Sequence, residues 1–260
     1  MSRRSASSAA AAPTEAASDA GPLAVYFNAS ERPLAALVFL APFVVFYELG
    51  TVWFATDPAA HTQQRIIAFN LLSGFFALFG AHGRFLPAAA VVAILLAWHL
   101  MRQDRWHLTP GVPLGMLLES VLLAIPLVFL GWVMNQYLPI AAPFTGQDAK
   151  SLLVLAIGAG IYEELVFRLI GLTALVCLFE DVLGVSAKRA AVISILISAV
   201  AFSAYHHLGP EPWNWRAFSF RALAGVWFGW LFIARGFGVT AGSHAAYDVM
   251  IVLVAQRPLS

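Results

Sequence analysis

Charge is scarce in this chain. Of its 260 residues, 11% are Asp, Glu, Lys or Arg and 60% are hydrophobic. A soluble domain has about 25% charged and roughly 45–50% apolar residues, so that class is excluded. The net charge of +1 argues against nucleic acid or any other extended polyanion as a partner. Cysteine is nearly absent. The single Cys177 makes no intrachain disulfide and leaves no cysteine-rich zinc site. Within Leu175-Val176-Cys177-Leu178 it reads as a small buried hydrophobe. No His-Glu-x-x-His segment, internal repeat or separate soluble domain is present.

What the chain has is long apolar runs. A spanning helix takes about 20 mostly apolar residues. The runs that qualify are 34–54, 86–101, 114–134, 151–179, 189–207, 217–234 and 238–256. Residues 66–81 form a shorter run that either spans or lies in the interface. The expected fold is all-α, a polytopic membrane bundle of about eight transmembrane helices with a buried polar cavity. Residues 1–33, rich in Ala and Ser, read as a flexible tail. Residues 34–260 read as one membrane domain, with a catalytic core at about 151–256. Arg3-Arg4 is followed by too weakly apolar a stretch for a cleaved export signal, so the first span serves as an uncleaved one. Basic residues outside the spans divide eight to six in favour of the N-terminal side, whether seven or eight spans are drawn. The positive-inside rule then places the N-terminus inside.

Three polar clusters interrupt these runs, and an ionisable group in lipid is expensive. The first is Glu163-Glu164-Leu165-Val166-Phe167-Arg168. Neighbours on a helix point about 100° apart, so the two carboxylates diverge. Glu164 stands four residues before Arg168, the favourable order for a helical ion pair. Glu163 is left without a local cation. Such a carboxylate in a low-dielectric site suits general acid or base work. The second cluster runs from Phe202 to His207, with Phe202 one turn before His206. In the third, His244 and Asp248 are four apart and share a face. Gly236, Gly238 and Gly242 come before them and predict a bend.

Each cluster has a plainer reading. Glu164 and Arg168 could clamp two helices together, and His206 could be an interfacial histidine. His82, His99, His107 and His207 sit near span ends. Glu48 and Glu119 read as snorkelling or bonded to neighbouring helices, and the Gly225–Gly229 pair as a close helix contact. Three clusters on three successive hydrophobic elements are harder to explain this way. Together they point to one buried polar pocket.

In order and spacing these residues resemble the CAAX-protease and bacteriocin-processing intramembrane endopeptidases, which include the type II prenyl-protein endopeptidases. That family shows Glu-Glu-x-x-x-Arg, Phe-x-x-x-His and His-x-x-x-Asn/Asp on successive membrane helices. Here they read Glu163-Glu164…Arg168, Phe202…His206 and His244…Asp248. The resemblance implies a bundle of about eight helices with a conical polar cavity open to the interface. It also implies a glutamate and a histidine that activate water against a peptide bond near the membrane. By position Glu163 would be the base and His206 its partner, with Glu164 and Arg168 supporting them and Phe202 packing the site. His244 and residue 248 would stabilise the oxyanion.

Asp248 departs from the Asn that fits an oxyanion hole best. Either it is protonated, or it orients His244, or it helps to bind a metal. The last option retains a metalloprotease reading with Glu163, His206 and His244 holding a divalent ion such as zinc. Metal-free glutamate catalysis, with no cofactor, is the preferred expectation. The expected partners are a membrane-anchored peptide or protein substrate and the lipid bilayer. The Ala-, Gly- and Arg-leaning composition suggests a bacterial plasma membrane. Two other classes compete: a proton-coupled carrier, which should show two matching Gly/Pro-broken halves, and a silent immunity or scaffold protein. Only one glycine cluster is present.

Overall fold

The computed structural model describes residues 21–55, 63–137, 149–208 and 212–255, and every regular element among them is helical. In chain order these are α1 (Pro22–Ser30), α2 (Pro33–Phe54), α3 (Ile67–Leu78), α4 (Leu86–Arg102), α5 (Gly111–Tyr137) and α6 (Ala149–Glu164). They are followed by α7 (Thr173–Cys177), α8 (Ala187–Tyr205) and α9 (Trp215–Ala255). Among the described residues four stretches are long and apolar enough to cross a membrane: Pro33–Phe54, Gly111–Met134, Ala187–Leu208 and Trp215–Val254. At 1.5 Å per residue, the 12-residue α3 reaches about 18 Å, well short of a hydrocarbon core of about 30 Å.

Three expected spans are built differently from ordinary helices. The run 151–179 lies in a continuous rod. In this rod α6 passes into a π-helical turn at Leu165–Leu172, then α7, then a second π turn at Leu178–Val182. The first π turn begins directly after Glu164. Such turns occur frequently at functional sites. The runs 217–234 and 238–256 lie in α9, which breaks at Gly236 with φ 75° and ψ −178°. Only glycine adopts that conformation without strain. The predicted bend is thus present.

α9 is the hub, packing against α5, α6 and α8, while α2 lies against α6. Two glycines set the distances. A Cβ on Gly160 would stand 2.5 Å from the Ala245 amide nitrogen, and one on Gly225 2.8 Å from Ala199 Cα. These are backbone atoms that cannot step aside, so α6 and α8 reach α9 only because both positions lack a side chain. The Gly225–Gly229 reading therefore holds. Outside, large side chains such as Leu122 and Phe129 of α5 and Val200 of α8 are exposed. Lipid tails are as apolar as leucine.

Two expectations need correction. Cys177 is exposed rather than buried, because an apolar run in a membrane bundle can face lipid as well as core. The tail drawn to residue 33 ends earlier. Residues 1–20 lie outside the described residues, but Pro22–Ser30 forms α1, with Pro22 in its first turn. It docks through Tyr26, whose hydroxyl donates to Glu119 Oε2 at 2.5 Å. Arg235 reaches Ser30 Oγ and Glu31 Oε1, both at 2.8 Å. These long-range partners are invisible to local composition.

Candidate active site

The three motifs meet around one carboxylate oxygen. Glu163 and Glu164 close α6. His206 begins the 3-10 turn after α8, and His244 and Asp248 lie on α9 beyond its break. Glu164 and Arg168 are fully buried, and Glu163 and His244 are each 5% exposed. The Glu164–Arg168 pair forms as its spacing predicts, with Arg168 Nη1 3.1 Å from Glu164 Oε1. Arg168 Nη2 donates to the Gly225 carbonyl at 3.3 Å. The guanidinium lies over Phe202, 4.4 Å from the ring centre, a cation–π contact that is strengthened by desolvation.

Hydrogen-bond chemistry assigns the protons on both imidazoles. His206 Nδ1 lies 2.8 Å from the Phe202 carbonyl, which only accepts, so Nδ1 carries a hydrogen. Its Nε2 then points at Glu163 Oε2, 3.6 Å away. His244 Nδ1 lies 2.7 Å from Glu164 Oε1, the oxygen that also faces Arg168 Nη1 at 3.1 Å, and donates to it. Its Nε2 also faces Glu163 Oε2, at 3.9 Å. Neither distance is a direct hydrogen bond. Glu163 Oε2 is therefore buried with two ring nitrogens aimed towards it and no hydrogen-bond partner among the described residues. Asp248 Oδ2 stands 3.5 Å from His244 Nε2. The bond orienting His244 comes from Glu164 on the opposite ring edge, not from Asp248. His206 and Asp248 form the more open edge of the cluster, their side chains 21% and 28% exposed.

All seven motif residues are thus drawn into one cluster. Two further residues escaped the sequence reading. Tyr205 donates to Glu163 Oε1 at 3.2 Å, and Phe228 stacks on His244 with ring centres 4.5 Å apart. Tyr205 was legible in principle, as the residue before His206. Phe228 carried no signal, since its partner is sixteen residues away across the break in α9. Glu48 and Glu119 have partners elsewhere. Glu48 pairs with Arg65 at 2.9 Å and accepts from the Tyr162 hydroxyl at 3.2 Å.

Among the described residues no three His, Cys, Asp or Glu side chains are grouped to hold an ion. Two cavities of about 710 and 510 Å³ lie elsewhere. The larger is an apolar groove between α5, α8 and α9, walled by residues such as Phe129, Trp227 and Trp230. Glu163, His206 and His244 line neither.

Residues 145–250 match the family model described as type II CAAX prenyl endopeptidase Rce1-like. The matched span runs from just before α6 to just beyond Asp248 and holds all seven motif residues. It is the family that the three motifs resemble. No curated relative and no solved structure matches the chain. Four spans among the described residues are long and apolar enough to cross a membrane, as expected of an integral membrane protein.

Proposed function

We propose that this protein is an intramembrane endopeptidase of a bacterial plasma membrane, hydrolysing a peptide bond close to its substrate's membrane anchor. The observation that carries the reading is the convergence of two imidazole Nε2 atoms on one buried, unpartnered oxygen of Glu163. An unsatisfied buried acceptor costs about 1–3 kcal/mol, and the two ring nitrogens face this one from 3.6 and 3.9 Å.

Water beside Glu163 Oε2 and His206 Nε2 can donate a hydrogen to each. Glu163 takes one proton as the water oxygen attacks the scissile carbonyl carbon. The carbonyl oxygen becomes an oxyanion facing protonated His244, whose Nε2–H donates to it. The tetrahedral intermediate collapses, the C–N bond breaks, and Glu163 returns its proton to the leaving amine. Glu164 keeps the His244 ring oriented, and Arg168 holds Glu164 in place. No step needs a metal. The substrates best suited are C-terminal sorting tails or leader segments, since prenylated proteins are uncommon in bacteria.

The test uses the full chain in lipid nanodiscs with a panel of quenched fluorescent peptides. Each peptide carries either a prenylated cysteine or an apolar anchoring segment. Glu163→Gln should lower turnover by about 10³-fold and His206→Ala by about 10²-fold, magnitudes typical of general acid–base groups. Wild-type turnover in both variants would sink the assignment. Chelator challenge with elemental analysis tests metal dependence; a stoichiometric ion whose removal abolishes cleavage would overturn the metal-free mechanism.

A further inference from the structure

Glu163 has two carboxylate oxygens, and the structure treats them unequally. The reason lies on α3, an element outside all three motifs. Tyr205, the last residue of α8, is 4% exposed. Its ring is set edge-on between Phe167 and His206, with centres 5.0 and 4.9 Å away. The hydroxyl lies 2.7 Å from the backbone nitrogen of Ala68 and 3.2 Å from Glu163 Oε1.

The direction of both bonds follows from the inventory of protons. A backbone amide can only donate, and a phenol has one hydrogen. The Ala68 N–H occupies a lone pair of the tyrosine oxygen, so the single phenolic hydrogen goes to Glu163. Ala68 is the second residue of α3, and first-turn amides have no intrahelical acceptor. Its hydrogen therefore needs an outside partner, and Tyr205 supplies it. Oε1 is thereby committed to a donor held from two sides. Oε2, on the other edge of the same carboxylate, faces the two imidazoles without one.

We infer that Tyr205 is a positioning residue: anchored by the α3 amide, it fixes the rotation of the Glu163 carboxylate so that Oε2 alone serves as the base. This rests on the peptidase reading above and adds to it. It also gives α3, which is too short to span, a part in the chemistry. The α3 amide pins a tyrosine, and the tyrosine pins the base.

The experiment compares wild type, Tyr205→Phe and Glu163→Gln, all full-length in nanodiscs, on the peptide of the panel that wild type cleaves fastest. Losing the phenolic donor leaves the carboxylate free to rotate and its ionised form less favoured. The expectation for Tyr205→Phe is a kcat about 10- to 100-fold lower, with KM within about twofold. The acid limb of its pH–rate profile should move to higher pH by about half a unit or more. The infrared band of the Glu163 carboxyl, assigned by subtracting the Glu163→Gln spectrum, should shift as well. A merely structural tyrosine would lower thermal stability yet leave the pH limb and the band in place, and that result overturns the inference. So does a Tyr205→Phe enzyme with normal kcat while Glu163→Gln is inactive. If Glu163→Gln itself cleaves normally, the peptidase reading fails instead, and the two failures are told apart.

Discussion

Helix α9 carries two clusters of acids and bases, a partly exposed one at its break and a more deeply buried one two turns beyond, and they are wired in opposite ways. At the break, Arg235 Nε lies 2.6 Å from Glu119 Oε1 and Nη2 3.0 Å from Oε2. Nη1 meets Glu31 at 2.8 Å, and Tyr26 donates to Glu119. Burial, aided by the Glu119 carboxylate, pushes the Tyr26 hydroxyl above its ordinary pKa, which keeps it a donor. Every carboxylate oxygen of Glu119 is closed by a short bond. Around Glu163 the same kinds of group stop short, at 3.6 and 3.9 Å from Oε2. The first cluster staples α1 and α5 to α9. The second leaves Glu163 Oε2 and Glu164 Oε2 without a hydrogen bond, in a place where that is costly. What separates the two clusters is how the donors meet the carboxylate: closed around Glu119, held off from Glu163 Oε2.

The sharpest way to break this contrast is Arg168→Met. Arg168 is fully buried, and its loss would strand Glu164 with His244 as its only strong partner. We expect a destabilisation of about 3–5 kcal/mol, read as an earlier thermal transition in detergent, together with loss of peptide turnover. A stable variant with normal turnover would show that the pair is dispensable to the site.

Arg235→Met should separate the two clusters. It should destabilise by about 1–3 kcal/mol, the range for charge-assisted bonds. Turnover per folded molecule should stay within about threefold of wild type, because distant sites without shared partners act independently. A turnover collapse without unfolding would mean that the staple also tunes the chemistry.

The smallest effect is expected from Asp248→Asn. An ionised Asp248 beside His244 Nε2 opposes the developing oxyanion, whereas an amide can donate to it. Replacement should raise kcat by about two- to tenfold, equivalent to at most about 1.4 kcal/mol of barrier. A fall in kcat would instead give Asp248 an active role, as the group that keeps His244 protonated.

Some of this was legible before any coordinates. The Glu164–Arg168 pair follows from helical spacing, and the break at Gly236 follows from three glycines in seven residues. The three motifs lie on the elements expected of them. Tyr205 shows where such reading stops. It touches Glu163 and Ala68, neighbours in space but 42 and 137 residues away in sequence. The same holds for α1, whose composition resembles a loose tail until Glu119 and Arg235 are brought beside it. Cys177 was misjudged for a different reason. In a membrane bundle both the core and the lipid face are apolar, so periodicity alone cannot tell inside from outside.

The sequence by itself determined that the chain lives in a membrane, that it is helical, and which residues are too polar for that environment to be idle. These are one-dimensional properties, set by local composition and by helical spacing within one or two turns. Only the tertiary structure decided which oxygen of Glu163 is open and which is held, and that Glu164 rather than Asp248 orients His244. Those outcomes depend on close approaches such as that of Gly160 to Ala245, where missing side chains let helices meet. Hydrogen-bond direction is fixed there by groups that no local pattern brings together.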